Sequence, residues 1–185
     1  MSEPAWVQVE FTVAGETQIA RQFELAQAWA ADMSEPLEEL MDMILENVRG
    51  QFDTEGAQGQ HGIWQPLSDP YGKWKATHFP GRPILVREGG MKGAMLNKTT
   101  AVHVSADRAV YEPKSNIAGF HQAGADWIGP VWGHGEYPHH LPQRRMVDLP
   151  DAFKHDAVDR TFARWVQRKL REGRAAGAGF YVGGG

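Results

Sequence analysis

The chain of 185 residues contains no cysteine. This absence excludes disulfide bonds, thiolate metal ligands and a cysteine nucleophile, and it is compatible with a reducing compartment. Long hydrophobic runs are missing too, because no stretch approaches the roughly 20 apolar residues of a membrane span. The opening residues, MSEPAWVQVEF, have no basic region and no apolar core of the kind found in signal peptides. We therefore expect a soluble protein that is not exported by a signal peptide.

The signature motifs of common enzymes are also missing. No G-x-S-x-G turn, Walker loop or G-x-G-x-x-G fingerprint occurs in a suitable context. The segment GGMKG lacks the spacing that would wrap a phosphate, and the acidic residues of the first part fall mainly on polar helix faces. Nothing in the sequence therefore nominates an acid/base pair.

Charge is unevenly distributed along the chain. The net charge is −4, which argues against a surface that coats DNA in general. Residues 1–56 carry twelve acids and two bases, whereas residues 57–185 carry eleven acids and seventeen bases. The two portions could neutralise each other within one fold. Alternatively, the acidic portion of one copy could face the basic portion of the next copy in a head-to-tail ring.

The hydrophobic pattern predicts an α+β fold. We expect a small antiparallel sheet with a long helix from the N-terminal half and a C-terminal helix packed on it, plus long irregular loops. We assign residues 1–172 to a single domain, with an insertion loop at 126–141, and residues 173–185 to a flexible Gly-rich tail. The expected elements, in chain order, are a strand at Val7–Val13, helices from Thr17 and from Ser34 to Phe52, a short helix from Asp69, another at Met91–Leu96, a hairpin turning at Ala106–Asp107, a helical turn closing on Gly124, a strand at Met146–Leu149 and a helix from Asp151.

Two further predictions concern the N-cap of the long helix and the two faces of the C-terminal helix. Ser34 is expected to be the N-cap of the long helix, which Pro36 follows in the first turn. The C-terminal helix is expected to bury one apolar face and to expose an arginine face. The apolar face comprises Val158, Phe162, Trp165, Val166 and Leu170, and the arginine face comprises Arg160, Arg164, Arg168 and Arg171. The arginines could contact protein or the phosphates of DNA.

A group of histidines is the best candidate for a metal site. His134, His139 and His140 lie within seven residues of each other, with Glu136 between them and His121 upstream. Imidazole and carboxylate groups ligate zinc, so a metal-dependent hydrolase is one alternative function. The spacing lacks the H-E-x-x-H pattern that places two ligands on one helix face, and surface histidines remain the other interpretation.

The most unusual stretch is GIWQPLSDPYGKWKATHFPGRPIL, residues 62–85, where large aromatic residues alternate with prolines and glycines. Such residues either fix irregular backbone in place or mark an interface. A ligand-stacking role would require polar groups that converge around a pocket.

The order of the motifs resembles the phage virion-morphogenesis family, also called tail-completion or neck proteins. The similarity is carried by RGQFDTEG, the aromatic stretch, REGGMKGAML, NIAGFHQAG and LPQRRMVDL before a final helix, and it runs from about Val7 to Arg171. The family's P-I-L-x-x-T-G-x-L segment reads PILVREGGMKG here, and its short loop after the H-Q-x-G segment is a longer Trp/His-rich insertion.

The resemblance implies a structural protein without a catalytic residue or a cofactor. It implies a ring with sixfold or twelvefold symmetry in the neck of the virion, together with adaptor, stopper and tail-terminator proteins and with DNA passing through the channel. The residues that it implies to define fold and assembly are Trp64, Pro66, Leu67, Ser68, Trp74, Lys75, Pro83, Ile84, Leu85, His121, Gln122, Gly124, Pro142 and Arg144.

Overall fold

The computed structural model describes residues 16–131 and 135–175. The predicted strand Val7–Val13 lies outside these residues, as do residues 176–185 of the predicted tail. Residues 173–175 continue the last helix rather than starting the tail.

Within the described residues the chain is α+β, as the sequence predicts. The elements are α1 (Glu16–Ala31), α2 (Ser34–Asp53), α3 (Asp69–His78), α4 (Gly90–Leu96), α5 (Lys98–Ala101), β1 (Val102–Val104), β2 (Ala109–Tyr111), α6 (Asn116–Ala123), β3 (Ala125–Val131), β4 (Gly135–Leu141), α7 (Asp151–Val158), a π-helical segment (Asp159–Ala163) and α8 (Arg164–Ala175). No helix in 16–131 or 135–175 combines the length and the apolar character that crossing a bilayer requires.

Helix α2 is the central element, and its apolar stripe behaves as predicted. Met41, Val48 and Phe52 are buried at the expected spacing. The core around them gathers side chains from loops and short elements that are distant in sequence. Its buried members are Val48, Phe52, Trp64, Val86, Met95, Ala118 and Met146.

The predicted cap of α2 is wrong by one residue, because the helix begins at Ser34 and Met33 is its N-cap. Ser34 lies inside the helix, and its backbone N–H donates to Oδ1 of Asp32 at 3.0 Å. The carboxylate of Asp32 therefore satisfies an N–H group that the helix leaves unpaired at its start. Hydrogen bonding with the Ser34 side chain, and then with its backbone N–H, lowers the pKa of Asp32.

The described strands form two separate antiparallel pairs. The predicted hairpin is present as β1–β2, in which Val102 pairs with Tyr111 and Val104 with Ala109. Residues 126–141 are predicted to be an irregular insertion, but 126–131 and 135–141 instead pair with each other as parts of β3 and β4. The Gly, Pro and His residues of this segment hide the alternation that usually indicates strands, yet its backbone pairs in regular register from Ala125–Leu141 to Val131–Gly135.

The C-terminal helix packs mainly on α2 and not on a sheet, which corrects the predicted arrangement. Its faces also differ from the prediction. Thr161 Oγ1 donates to the Ala157 carbonyl at 2.7 Å, inside a π-helical segment that adds a residue to the turn. The side chains buried here are consequently Ala157, Thr161 and Trp165, while Val158 and Val166 remain exposed.

Candidate functional site

The loop that joins α2 to α3 is built around Trp64. This side chain is only 4% exposed, and its ring meets the ring of Phe52 edge-on at a centroid distance of 5.6 Å. Its indole N–H donates to the carbonyl of Arg145 at 3.1 Å. Gly56 has a φ of +90°, and a methyl group there would lie 2.5 Å from Cδ1 of Trp64. The indole therefore fits against a backbone position that only glycine can occupy without strain.

Arg144 holds the next residues of the loop. Its side chain is buried, and its guanidinium donates to the carbonyls of Gln65 and Pro66 at 3.0 and 3.2 Å. Burial lowers the pKa of Arg144 from its ordinary value. Because hydrogen bonds from a charged donor are stronger than neutral ones, this fork fixes the path of the chain before α3.

Gln122 on α6 holds the segment that follows β4. Its Oε1 accepts from the backbone N–H groups of Met146 and Val147 at 2.8 and 3.1 Å, and its Nε2 donates to the carbonyl of Val147 at 2.9 Å. The predicted strand Met146–Leu149 is wrong for this reason. A side-chain amide provides the hydrogen bonds that a neighbouring strand would otherwise provide.

The turn after α3 is held from two sides. Lys75 is buried and donates from Nζ to the carbonyl of Pro83, while Glu55 Oε1 accepts from the backbone N–H of Ile84 at 2.6 Å. Burial lowers the pKa of Lys75, and the charge of Glu55 opposes this shift. Leu85, the next residue, has a φ of +64°, which is unusual for a residue with a side chain. Such strain persists only where neighbouring contacts determine the conformation, and here they do.

A further group of polar residues was missed by the sequence analysis. Asp148 is buried, and its carboxylate accepts from the backbone N–H of His61 at 3.1 Å and contacts His61 Nδ1 at 2.8 Å. Arg145 NH1 lies 2.7 Å from His61 Nε2. A carboxylate accepts and a guanidinium donates, so Nδ1 carries the proton and Nε2 accepts. No motif links these residues in sequence, because His61 and Asp148 are 87 positions apart.

Beside these fixed loops lies an open apolar groove. It encloses a cavity of about 380 Å³ between α3, the turn after it, α4 and α6, and its apolar lining includes Leu67, Tyr71, Leu85, Met91 and Ile117. A second cavity of about 530 Å³ lies on the other side of Leu67, Tyr71 and His121 and is lined by loop residues before α3 and after β4.

Helices α3 and α6, which border the first cavity, present large apolar side chains to solvent. On α6, Ile117 and Phe120 are 63% and 61% exposed. On α3, Tyr71 and Trp74 are also exposed and stack on each other at 5.5 Å, and His78 stacks on Trp74 at 4.7 Å. We call the first cavity with Tyr71, Trp74, Ile117 and Phe120 the α3–α6 groove. Exposed apolar patches of this kind mark interaction sites.

His121 lies between the two cavities. Its pKa is lowered, first by burial and then by the charge of Arg144. Its buried Nδ1 has no hydrogen-bond partner within the described residues. A neutral imidazole costs less to bury than a charged one, so this position favours the uncharged ring.

The described histidines do not form a metal centre. Residues 16–131 and 135–175 contain no group of three potential His or carboxylate ligands. His140 Nδ1 contacts Asp126 Oδ1 at 2.6 Å on the surface of the β3–β4 hairpin, whereas His121 belongs to α6. His134, another member of the predicted group, lies outside the described residues.

The arginine face is divided between paired and unpaired side chains. Arg160 contacts Asp156 at 2.7 Å, and Arg168 contacts Glu35 at 2.6 Å. Within the described chain, Arg164 and Arg171 have no acidic partner.

The acidic portion of the sequence, residues 1–56, and the basic portion, residues 57–185, are also only partly paired with each other. Their charges meet in four intramolecular pairs, Glu35 with Arg168 and with Lys169, Asp42 with Lys98, and Asp53 with Lys92. Glu24, Glu38 and Glu39 stay exposed and without a basic partner in the described residues. Internal neutralisation is thus real but incomplete.

The residues that the resemblance implies to define fold and assembly are spread over this region. Trp64, Lys75 and Arg144 are buried and hold loops, as described above. Gly124 ends α6 with a φ of +74°, beside the backbone of residues 141 and 143. Others border the cavities or the turn after α3, namely Pro66, Leu67, Ser68, Pro83, Ile84, Leu85, His121 and Pro142. Gln122 holds the segment after β4, and Trp74 is exposed on α3.

Comparisons of the chain with protein-family models, with curated proteins and with solved structures give no match.

Proposed function

We propose that the chain is a structural subunit of the phage neck, which completes the tail and joins it to the portal-side connector as part of a ring. The observation that carries this proposal is the α3–α6 groove, where a rigid set of loops presents large apolar side chains to solvent. Its partners would be copies of the chain itself and the adaptor, stopper or tail-terminator proteins of the neck.

The way in which the loops are fixed supports a docking role. Trp64, Arg144, Gln122 and Lys75 each bond to backbone groups of a segment without regular secondary structure. A surface that is rigid before binding loses little conformational entropy when a partner docks. These polar side chains therefore hold the loops in a fixed conformation, as a structural subunit requires.

Sedimentation velocity of the purified chain over a wide concentration range tests this proposal. We expect a particle of six or twelve times the 20.6 kDa of one chain, alone or after addition of its neck partners. Rim charges contribute to docking, so added salt should weaken assembly. A chain that remains a monomer at every concentration, with and without these partners, would contradict the proposal.

A contact with DNA in the channel is a second candidate function, and the unpaired Arg164 and Arg171 favour it. They are seven residues apart on α8 and therefore lie on the same side of the helix. Reversing both charges should lower duplex affinity and reduce its salt dependence. The control reverses Arg108 and Lys114, which are exposed and lie outside this helix. Equal duplex affinity in wild type and the Arg164→Glu/Arg171→Glu variant would remove this function.

A further inference from the structure

Helix α1 leaves most of its described side chains exposed, although Trp29 does have an interaction partner. Of its described side chains from residue 20 onward, all are exposed except the half-buried Leu25 and Trp29, and Phe23 is 73% exposed. It makes no extensive contact with another described helix or strand. Helices in proteins owe most of their stability to packing of an apolar side, so we expect a surface that buries one side of α1. Phe23, Ala26 and Ala30 follow each other at spacings of three and four and form one apolar side.

The α3–α6 groove is an acceptor with the matching shape and charge. Its open apolar lining suits a helix that inserts one aromatic anchor. Residues 69–92, which supply α3 and the turn after it, contain five bases and two acids. Residues 16–39, which supply α1 and the start of α2, contain six acids and one base. Lys73 and Arg82 on one side and Glu24, Glu38 and Glu39 on the other have no partner of opposite charge in the described residues.

The two surfaces lie at opposite ends of α2. Helix α1 joins α2 through Asp32 and Met33, and the N–H of Met33 donates to the Ala106 carbonyl at the tip of the β1–β2 hairpin. The groove borders α4, where Lys92 pairs with Asp53 at the other end of α2. Twenty helical residues place these ends about 28 Å apart. A helix at one end of a subunit and its acceptor at the other end form a head-to-tail contact, which generates a ring when the rotation closes.

We infer that α1 of one copy binds in the α3–α6 groove of a second copy, with Phe23 as its aromatic anchor. This inference rests on the part of the proposed function in which copies of the chain associate. In such a ring each copy inserts α1 into the groove of one neighbour and receives α1 of the other neighbour in its own groove.

A mixing experiment tests the contact. Phe23→Asp removes the anchor and keeps the groove, whereas Ile117→Asp disrupts the groove and keeps the anchor. Because both side chains are exposed, each variant monomer should keep the circular dichroism spectrum and the melting temperature of wild type. Each variant alone should associate at least about tenfold more weakly than wild type, as expected for a central contact residue. Mixed together they should form a dimer and nothing larger, because only one intact contact remains. The control Ile63→Asp changes an equally exposed apolar residue outside the groove lining and should assemble like wild type.

A disulfide experiment reads the contact directly, because the chain contains no cysteine of its own. The Phe23→Cys/Ile117→Cys variant should give a ladder of cross-linked chains under oxidation, and each single variant should give none. Cross-linking within one monomer would place α1 in its own groove and overturn the inference. Normal assembly of both Asp variants would also overturn it while leaving the ring intact. A wild-type chain that never associates would overturn the inference and the proposed function together.

Discussion

Replacing Gly56 by alanine tests whether the backbone around Trp64 is as constrained as its geometry indicates. At a φ of +90°, an alanine is strained by about 1–2 kcal/mol. Its methyl group would also lie 2.5 Å from Cδ1 and 2.7 Å from Nε1 of Trp64 and 2.9 Å from the carbonyl oxygen of Gly62. Overpacking of this kind costs about 1–3 kcal/mol more, so we expect the free energy of unfolding to fall by about 2–5 kcal/mol.

The chain supplies its own control for this prediction. Gly62 has a φ of +78°, yet a methyl group there would meet no atom within 4 Å. Gly62→Ala should therefore show only the strain of about 1–2 kcal/mol. Urea unfolding followed by far-ultraviolet circular dichroism measures both, and a difference of 2 kcal/mol corresponds to a midpoint shift of roughly 1 M. Equal midpoints for the two variants would refute the argument that Trp64 is locked against Gly56.

Three further substitutions test the side chains that hold the loops. Arg144→Lys keeps the charge but loses the fork to two carbonyls, and it should lower the free energy of unfolding by about 1–3 kcal/mol in urea titrations. Gln122→Leu leaves three backbone groups without a partner and should cost more than Gln122→Glu, which keeps the acceptor for the N–H groups of residues 146 and 147; equal losses would contradict the clamp. The folded-state pKa of His121 is below its ordinary value of 6.5, so its contribution to stability is present above pH 6.5 and is lost as the pH falls from there through the folded-state pKa. His121→Gln should therefore flatten the fall of the urea midpoint with acidification, and a variant midpoint that falls as steeply as that of wild type would contradict this argument.

Much of the local structure could be predicted from the sequence, because it depends on spacing within single elements. The apolar stripe of α2 and the β1–β2 hairpin are examples. The predictions were wrong where a distant side chain, or a bond from a side chain to nearby backbone, replaced the regular backbone hydrogen bonds of a strand or an α-helix. Gln122 takes the place of a strand beside Met146 and Val147, and the bond from Thr161 to the Ala157 carbonyl accompanies a changed helix face.

The candidate site was predictable only in part for the same reason. Trp64 stands out by composition, whereas the pairing of His61 with Asp148 joins positions that no spacing rule connects. The exposure of Ile117 and Phe120 was equally hidden, since a short apolar helix is usually packed on its apolar side. Which surfaces remain uncovered is a property of the folded chain, and it is on those surfaces that the proposed docking depends.

The central claim is that this chain is a building block that associates with copies of itself through fixed surfaces. Negative-stain class averages of the purified protein, alone and with portal and tail partners, test it most directly. We expect closed rings of six or twelve subunits around an open channel. Images that contain only compact particles of the 20.6 kDa chain under both conditions would contradict this account.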